Sequence, residues 1–306
     1  MRCWLVLLLL LGALPASAEI WRFGLIGDTP YSERERAELP KMLAAMSDSS
    51  VDFIVHVGDF KGGISPCDNA LFIDRFTLFD GSRVPFIYLP GDNEWTDCRR
   101  VASGSYDPVE RLGKLRELFW REPYSLGQQR LALERQPGGY REHSRFRVGP
   151  VLFVTFNLPG DNNHYGPEAT PRPEFTARNP QVLAWLADSF ALARRNKLAG
   201  VALMFQANPG FANFSRGFPH RGYRDFLHEL RREVENFAGP VVVVHGDTHI
   251  SRIDHPLRGA DGRPLANFTR VETFGYPFMG WTRGIIDTSH PQLFHFETHP
   301  WPPRKD

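Results

Sequence analysis

Six apolar runs of strand length punctuate the chain: WRFGLIG (21–27), DFIVHVG (52–58), PFIYLPG (85–91), PVLFVTFN (150–157), GVALMF (200–205) and PVVVVHG (240–246). They are near-continuous rather than alternating, which is the pattern of strands covered on both faces. Helical patterns lie between them. Leu71, Phe72, Phe76 and Phe79 share one stripe after Asp68, Asp107-Pro108 opens a helix reaching Trp120, Asn179-Pro180 opens another, and a fourth spans residues 223–237. Alternating strand and helix predicts an α/β architecture. The segments flanking Gly149-Pro150 read as a hairpin, and after His249 the stretches 249–255, 266–275, 281–287 and 291–296 read as strands of a meander. The expectation is two sheets with helices outside. Residues 158–178, with four prolines, read as a functional loop.

The first eighteen residues stand apart. Arg2 precedes an apolar core from Trp4 to Leu14, and Ala16-Ser17-Ala18 is a small-residue cleavage site. That core is shorter than the ~20 residues a membrane helix needs. The expected divisions are a signal peptide (1–18), one folded domain (19–296) and a mobile tail (297–306), with a secreted or periplasmic location. Two cysteines remain after cleavage, Cys67 and Cys98, and an oxidising compartment favours a disulfide between them. With 36 basic and 35 acidic residues the formal charge is +1, so composition indicates neither nucleic acid nor an anionic membrane as partner.

What the strands carry at their ends is acid. Gly-Asp follows an apolar run at Gly27-Asp28, Gly58-Asp59, Gly91-Asp92 and Gly246-Asp247, and a fifth Gly-Asp, 160–161, lies in a second LPGDN. In open α/β sheets the carboxyl ends of strands line the ligand crevice. Four carboxylates brought there repel one another and lose solvation. Lys61, Arg99 and Arg100 are too few and too scattered to neutralise them, whereas divalent cations take carboxylate and amide oxygens readily. His249 adds a nitrogen ligand and Gln206 a neutral oxygen.

The order GDTPY (27–31), VGDF (57–60), GDNE (91–94), QANP (206–209) and GDTH (246–249) resembles the calcineurin-like metallophosphoesterase superfamily. The resemblance implies an αββα sandwich with two divalent ions at the strand ends. Asp28, Asp59 and His249 would hold the first, and Asp59, Asp92, Gln206 and Asp247 the second. The departures are large. Pro30 stands where the family has a ligand histidine, Asp92 replaces an asparagine, Asn93 a catalytic histidine, Gln206 a histidine and Asp247 a histidine. Imidazoles have become oxygens, which suits magnesium, manganese or calcium better than zinc or iron, with manganese or magnesium the expected ions.

The implied activity is hydrolysis of a small phosphate mono- or diester by a metal-bridging hydroxide, with Asn93 in the catalytic histidine's position but unable to protonate the leaving group. Tyr31, Lys61 and Asn157 are candidate substrate contacts, together with Asp161, Asn162 and Asn163; a packed tyrosine and a solvated surface lysine are the competing readings of the first two. His56 and His245 read as core histidines. The rival function is a non-catalytic binding protein that keeps the fold.

Overall fold

The computed structural model describes residues 19–167 and 169–303. The first three apolar runs become the parallel strands β1 (Ile20–Ile26), β2 (Phe53–His56) and β3 (Phe86–Tyr88). Between them lie α1 (Glu33–Asp48) and α2 (Asn69–Asp80), the second capped by Asp68 through Leu71 N–H. α1 is an unexpected element, although Leu39, Met42, Leu43 and Met46 stand at helical spacing behind the Ser32 cap; Pro40 sits within it. Then α3 (Pro108–Phe119) begins as expected, with Asp107 accepting from Glu110 N–H and Pro108 at the first position. β4 (Glu134–Arg135) precedes the predicted hairpin of β5 (Ser144–Val148) and β6 (Val151–Thr155).

The second half adds α4 (Gly160–Asn163), α5 (Pro173–Arg195), β7 (Gly200–Met204), α6 (Phe211–Ser215), α7 (Arg224–Glu235) and β8 (Val241–His245). The last strands are β9 (Arg252–Asp254), β10 (Phe268–Glu272), β11 (Gly280–Asp287) and β12 (Phe294–Pro300). One sheet has the order β12-β11-β1-β2-β3 and the other β4-β5-β6-β7-β8-β10-β9.

Side-chain alternation explains why the strands are apolar throughout. Phe53 and Val55 join Phe153, Met204 and Val244 in the core between the sheets, while Ile54 faces outward into the layer of α1, α2 and α3. Leu152, Val154, Leu203 and Val243 turn outward from the second sheet onto α5 and α7. Helix, sheet, sheet and helix thus form four layers, the α/β sandwich that the motif order implies.

Three boundaries differ from expectation. The strands after His249 do not form one meander: β9 and β10 extend the second sheet, whereas β11 crosses to pair with β1 and carries β12 with it. Helix α5 starts at Pro173 and takes Pro180 into its interior, because Pro173 supplies an equally good first position seven residues earlier. Residues 297–300 are paired in β12, and Trp301 donates its backbone N–H to Met279 and its indole N–H to Glu38, so this part of the expected tail is fixed. The segment 1–18 lies outside the described residues. Among those described, no helix is long and apolar enough to cross a membrane.

Candidate functional site

Four Gly-Asp turns meet where the two sheets present their strand ends. Asp28, Asp59 and Asp247 have positive φ (51°, 59° and 79°), an uncommon conformation for a non-glycine residue that turns each carboxylate back toward the others. Their preceding or facing glycines are required by contact. A Cβ on Gly91 would lie 2.0 Å from Asp59 Oδ1, and one on Gly246 would lie 2.1 Å from Asp28 Oδ2. Gly91 and Gly246 therefore each make room for an acid from another strand. Gly160 does the same for Asp92, but Asp161 turns away and pairs with Arg99 at 3.0 Å, so the fifth Gly-Asp contributes no carboxylate to the cluster.

The acids are densely bonded. Asp59 Oδ1 accepts from Asn93 N–H at 3.0 Å, and its Oδ2 accepts from Asn93 Nδ2 at 3.0 Å, Gln206 Nε2 at 3.0 Å and the Tyr31 hydroxyl at 3.1 Å. Asp28 accepts from Asp247 N–H at 3.0 and 3.1 Å and faces His249 Nε2 at 3.5 Å. Asp247 accepts from Asn208 N–H at 2.8 Å. Burial pushes the carboxyls of Asp59 and Asp92 well above the ordinary range, and their acidic neighbours push them further. Burial likewise raises Asp28, against the opposing pull of His249, and lifts Asp247 to about 6. The His249 imidazole is raised by its bond to Asp28.

Gln206 corrects the sequence reading. Its Oε1 accepts from Gly160 N–H at 2.5 Å, so it is the amide nitrogen that faces Asp59 and Asp92, not the oxygen expected of a metal ligand. Lys61 is not a solvated surface lysine. It is 1% exposed, donates to the Gly62 carbonyl at 3.1 Å, and burial lowers its pKa against the opposing charges of Glu94 and Asp59. Tyr31 is half-buried, but its hydroxyl is inside the cluster rather than packed in apolar core. Asn157 is fully buried and donates to Glu142 Oε1 at 3.1 Å, which removes it from any substrate surface. Asn163 is held by Arg178, Asn162 by Gly222 N–H and Asp161 by Arg99, so all three loop side chains are tied to the scaffold. His56 and His245 are core residues, each fully buried and pushed by that burial to about 4 and about 3 respectively.

One structural acid was overlooked. Glu94 Oε1 accepts from Asp59 N–H at 3.0 Å, Gly91 N–H at 2.8 Å and the Tyr88 hydroxyl at 2.6 Å, tying two acid-bearing turns to β3. The signal was its place three residues after Gly91, where a side chain folds back onto the turn's free N–H groups. The Cys67–Cys98 disulfide, with 5.7 Å between Cα atoms, links the loops beyond Asp59 and Asp92, and both sulfurs lie 3.7 Å from the Asn93 carbonyl.

Among the described residues, no three His, Cys, Asp or Glu side chains stand as a ready ligand set for one ion, because amides and the Tyr31 hydroxyl bond the oxygens that would converge. The donor chemistry nonetheless fits a hard divalent cation. Four acids from four strand ends meet with raised pKa values, which is the mark of negative charge that the protein leaves uncompensated.

Comparison with known proteins agrees with this geometry. A dimetal phosphatase from zebrafish (Danio rerio) superposes with a TM-score of 0.56 at 14% identity, covering 92% of this chain and 99% of the other. A purple acid phosphatase from yellow lupin (Lupinus luteus) seeds gives 0.52 at 12% identity, covering 92% of this chain and 53% of the other. These likenesses show a shared fold. A search of curated protein sequences found no match. The model of the calcineurin-like phosphoesterase family matches residues 22–251, most of the chain and all of the acid-bearing turns, and the protein belongs to that family.

Proposed function

We propose that the protein is an exported, divalent-metal-dependent phosphoesterase acting on a small phosphate mono- or diester. The observation that carries this reading is the meeting of Asp28, Asp59, Asp92 and Asp247 in a calcineurin-like fold with their charge uncompensated. Those four acids and His249 would hold two ions, with Asp59 central, since it bonds to groups from the first sheet and from β7 alike. Bound ions would supply Lewis acidity toward a phosphoryl oxygen and an activated water. Asn93 is 8% exposed and gives its amide hydrogens to Asp59 and the Tyr31 hydroxyl, so it would hold a phosphate oxygen by turning one of them over to it. Glu94 fixes the turns, and the disulfide braces Asn93 from behind. The oxygen-rich donor set favours manganese or magnesium. The signal-like segment 1–18 and the disulfide support a periplasmic or secreted location.

The test is hydrolysis of an aryl phosphate and a bis-aryl phosphate by the purified mature protein with magnesium, manganese, calcium or zinc. Asp59→Asn is expected to abolish metal-dependent hydrolysis and to lower bound metal in elemental analysis. A variant that keeps both would place the reaction elsewhere. One observation favours the non-catalytic alternative: Gln206 and Asn93 already donate amide hydrogens to the carboxylates. A wild type that neither binds the ions nor hydrolyses either ester would support that reading.

A further inference from the structure

Tyr276 sits in the tight turn between β10 and β11 that Phe278 N–H closes onto the Gly275 carbonyl at 3.0 Å. Its backbone is tied to the site at both ends. The Tyr276 N–H donates to the Asp28 carbonyl at 3.2 Å, and its own carbonyl faces His249 Nδ1 at 2.8 Å. Gly275 leaves no slack, since a Cβ there would lie 2.8 Å from Asp28 Cβ and from His249 Cδ2. The Tyr276 ring stacks on Tyr31, with centroids 5.8 Å apart and planes 20° apart, and Tyr31 meets His249 edge-on at 5.3 Å. Aromatic surface thus runs outward from the carboxylates. It ends in a tyrosine that is 45% exposed, on a turn whose Phe278 is 71% exposed. A ring pinned in this way cannot withdraw into a core.

A second observation concerns the leaving group. Asn93, beside Asp59, has no titratable proton, and the Tyr31 hydroxyl is committed, donating to Asp59 Oδ2 and accepting from Asn93 Nδ2 at 2.9 Å. A departing alkoxide needs a proton, whereas a phenol oxygen, with a pKa of about 10, leaves far more readily as the anion.

We infer that the preferred substrates are phosphoesters of phenols, with the departing aromatic ring stacked on the open face of Tyr276. The inference rests on the phosphoesterase reading above. Water's oxygen forms the new bond to phosphorus and gives up a proton to solvent, the bond from phosphorus to the phenolic oxygen breaks with its electron pair going to that oxygen, and the departed phenolate takes a proton back from solvent.

The test compares phenylphosphonate with cyclohexylphosphonate, alike in size but only one planar, by calorimetry on the manganese-supplemented protein. Neither ligand turns over, so binding is read without catalysis. Wild type should bind the phenyl compound roughly 3- to 10-fold more tightly. Tyr276→Leu should bring that ratio close to one, and Tyr276→Phe should keep it. In turnover, the ratio of kcat/KM for phenyl over cyclohexyl phosphate should fall in Tyr276→Leu. Equal binding of both phosphonates, or a ratio untouched by Tyr276→Leu, would overturn the leaving-group inference alone. Binding of neither would overturn the phosphoesterase reading with it.

Discussion

Two polar clusters solve the same problem of burying charge in opposite ways. On one side, Glu142 is buried and Glu174 half-buried, each with its own cation. Arg116 bonds Glu142 at 2.8 and 2.5 Å, and Arg178 spends its donors on Glu174, Asn163 and the Asn157 carbonyl at 2.6–3.2 Å. Burial raises both carboxyls, but it is outweighed by the Arg116 bond and charge at Glu142 and by Arg178 and His164 at Glu174, which is held at about 2. Arg178 and His164 both pack on the Trp95 ring, at 5.6 and 4.9 Å. On the other side, Asp28, Asp59, Asp92 and Asp247 are buried or half-buried with amides, a tyrosine and one imidazole, and their carboxyls are raised. A cluster that carries its own arginines is finished as it folds. The second has no such partner: among the described residues no Lys or Arg pairs with its four acids, and that missing cation, rather than raised carboxyls alone (the turn-fixing Glu94 is raised too), marks a place for a cation from outside.

The largest expected effect tests the finished cluster. Arg178→Met should destabilise the protein by about 3–5 kcal/mol, since it strands a buried carboxylate, and added manganese should not rescue it. Urea unfolding with and without the ion measures this; rescue by manganese would merge the two clusters into one. Next, replacing both Cys67 and Cys98 by serine should lower stability by on the order of 3–4 kcal/mol for a loop of this size. It should also weaken ion binding, because the bridge backs Asn93; intact binding in the serine protein would show that the turns hold their geometry unaided.

The site itself should respond to pH with a definite sign. The Asp247 carboxyl is raised from 3.8 to about 6, so its contribution to stability is present below pH 3.8 and is lost as pH rises through about 6. His56 and His245, depressed to about 4 and 3, act with the opposite sign: their contribution is present above 6.5 and lost as pH falls toward those values. The histidines are common to wild type and variant, so the difference between them reports Asp247 together with Asp92, whose carboxyl it raises. In chelator, Asp247→Asn should gain on wild type as pH rises from 4 to 7, by up to about 3 kcal/mol. Manganese at pH 7.5 should stabilise wild type more than the variant. A difference that is flat with pH would mean that Asp247 is not strained by its surroundings. The smallest effect is one of ranking: Asp247→His should move the ion preference toward zinc, read as activity and bound metal after stripping and reloading.

Much of the layer plan was legible because apolar continuity and Gly-Asp spacing are local properties. β1, β2, β3, β6, β7 and β8 fall on the six runs, and the caps of α2 and α3 are where Asp68 and Asp107 announce them. α1 was legible as well, in Leu39, Met42, Leu43 and Met46 at helical spacing behind Ser32, but Pro40 inside the stripe reads as a break. Asn157 and Asn163 are amides beyond a strand end just as Asn93 is, and nothing local reveals that Glu142 and Arg178 claim them.

The sequence by itself determined that acids would gather at the strand ends, because a parallel strand followed by Gly-Asp has one edge on which to present it. It also determined which loops a disulfide would join. Only the tertiary structure decided the direction of each donor. Gln206 turns its nitrogen toward Asp59 because Gly160, 46 residues away in the chain, needs its oxygen. Tyr276 becomes the outer wall of the site because its backbone is tied to Asp28 and His249, and its ring to Tyr31, all of them distant in sequence. Hydrogen-bond satisfaction in a buried site is settled among all the groups that meet there, and no stretch of chain read alone contains that set.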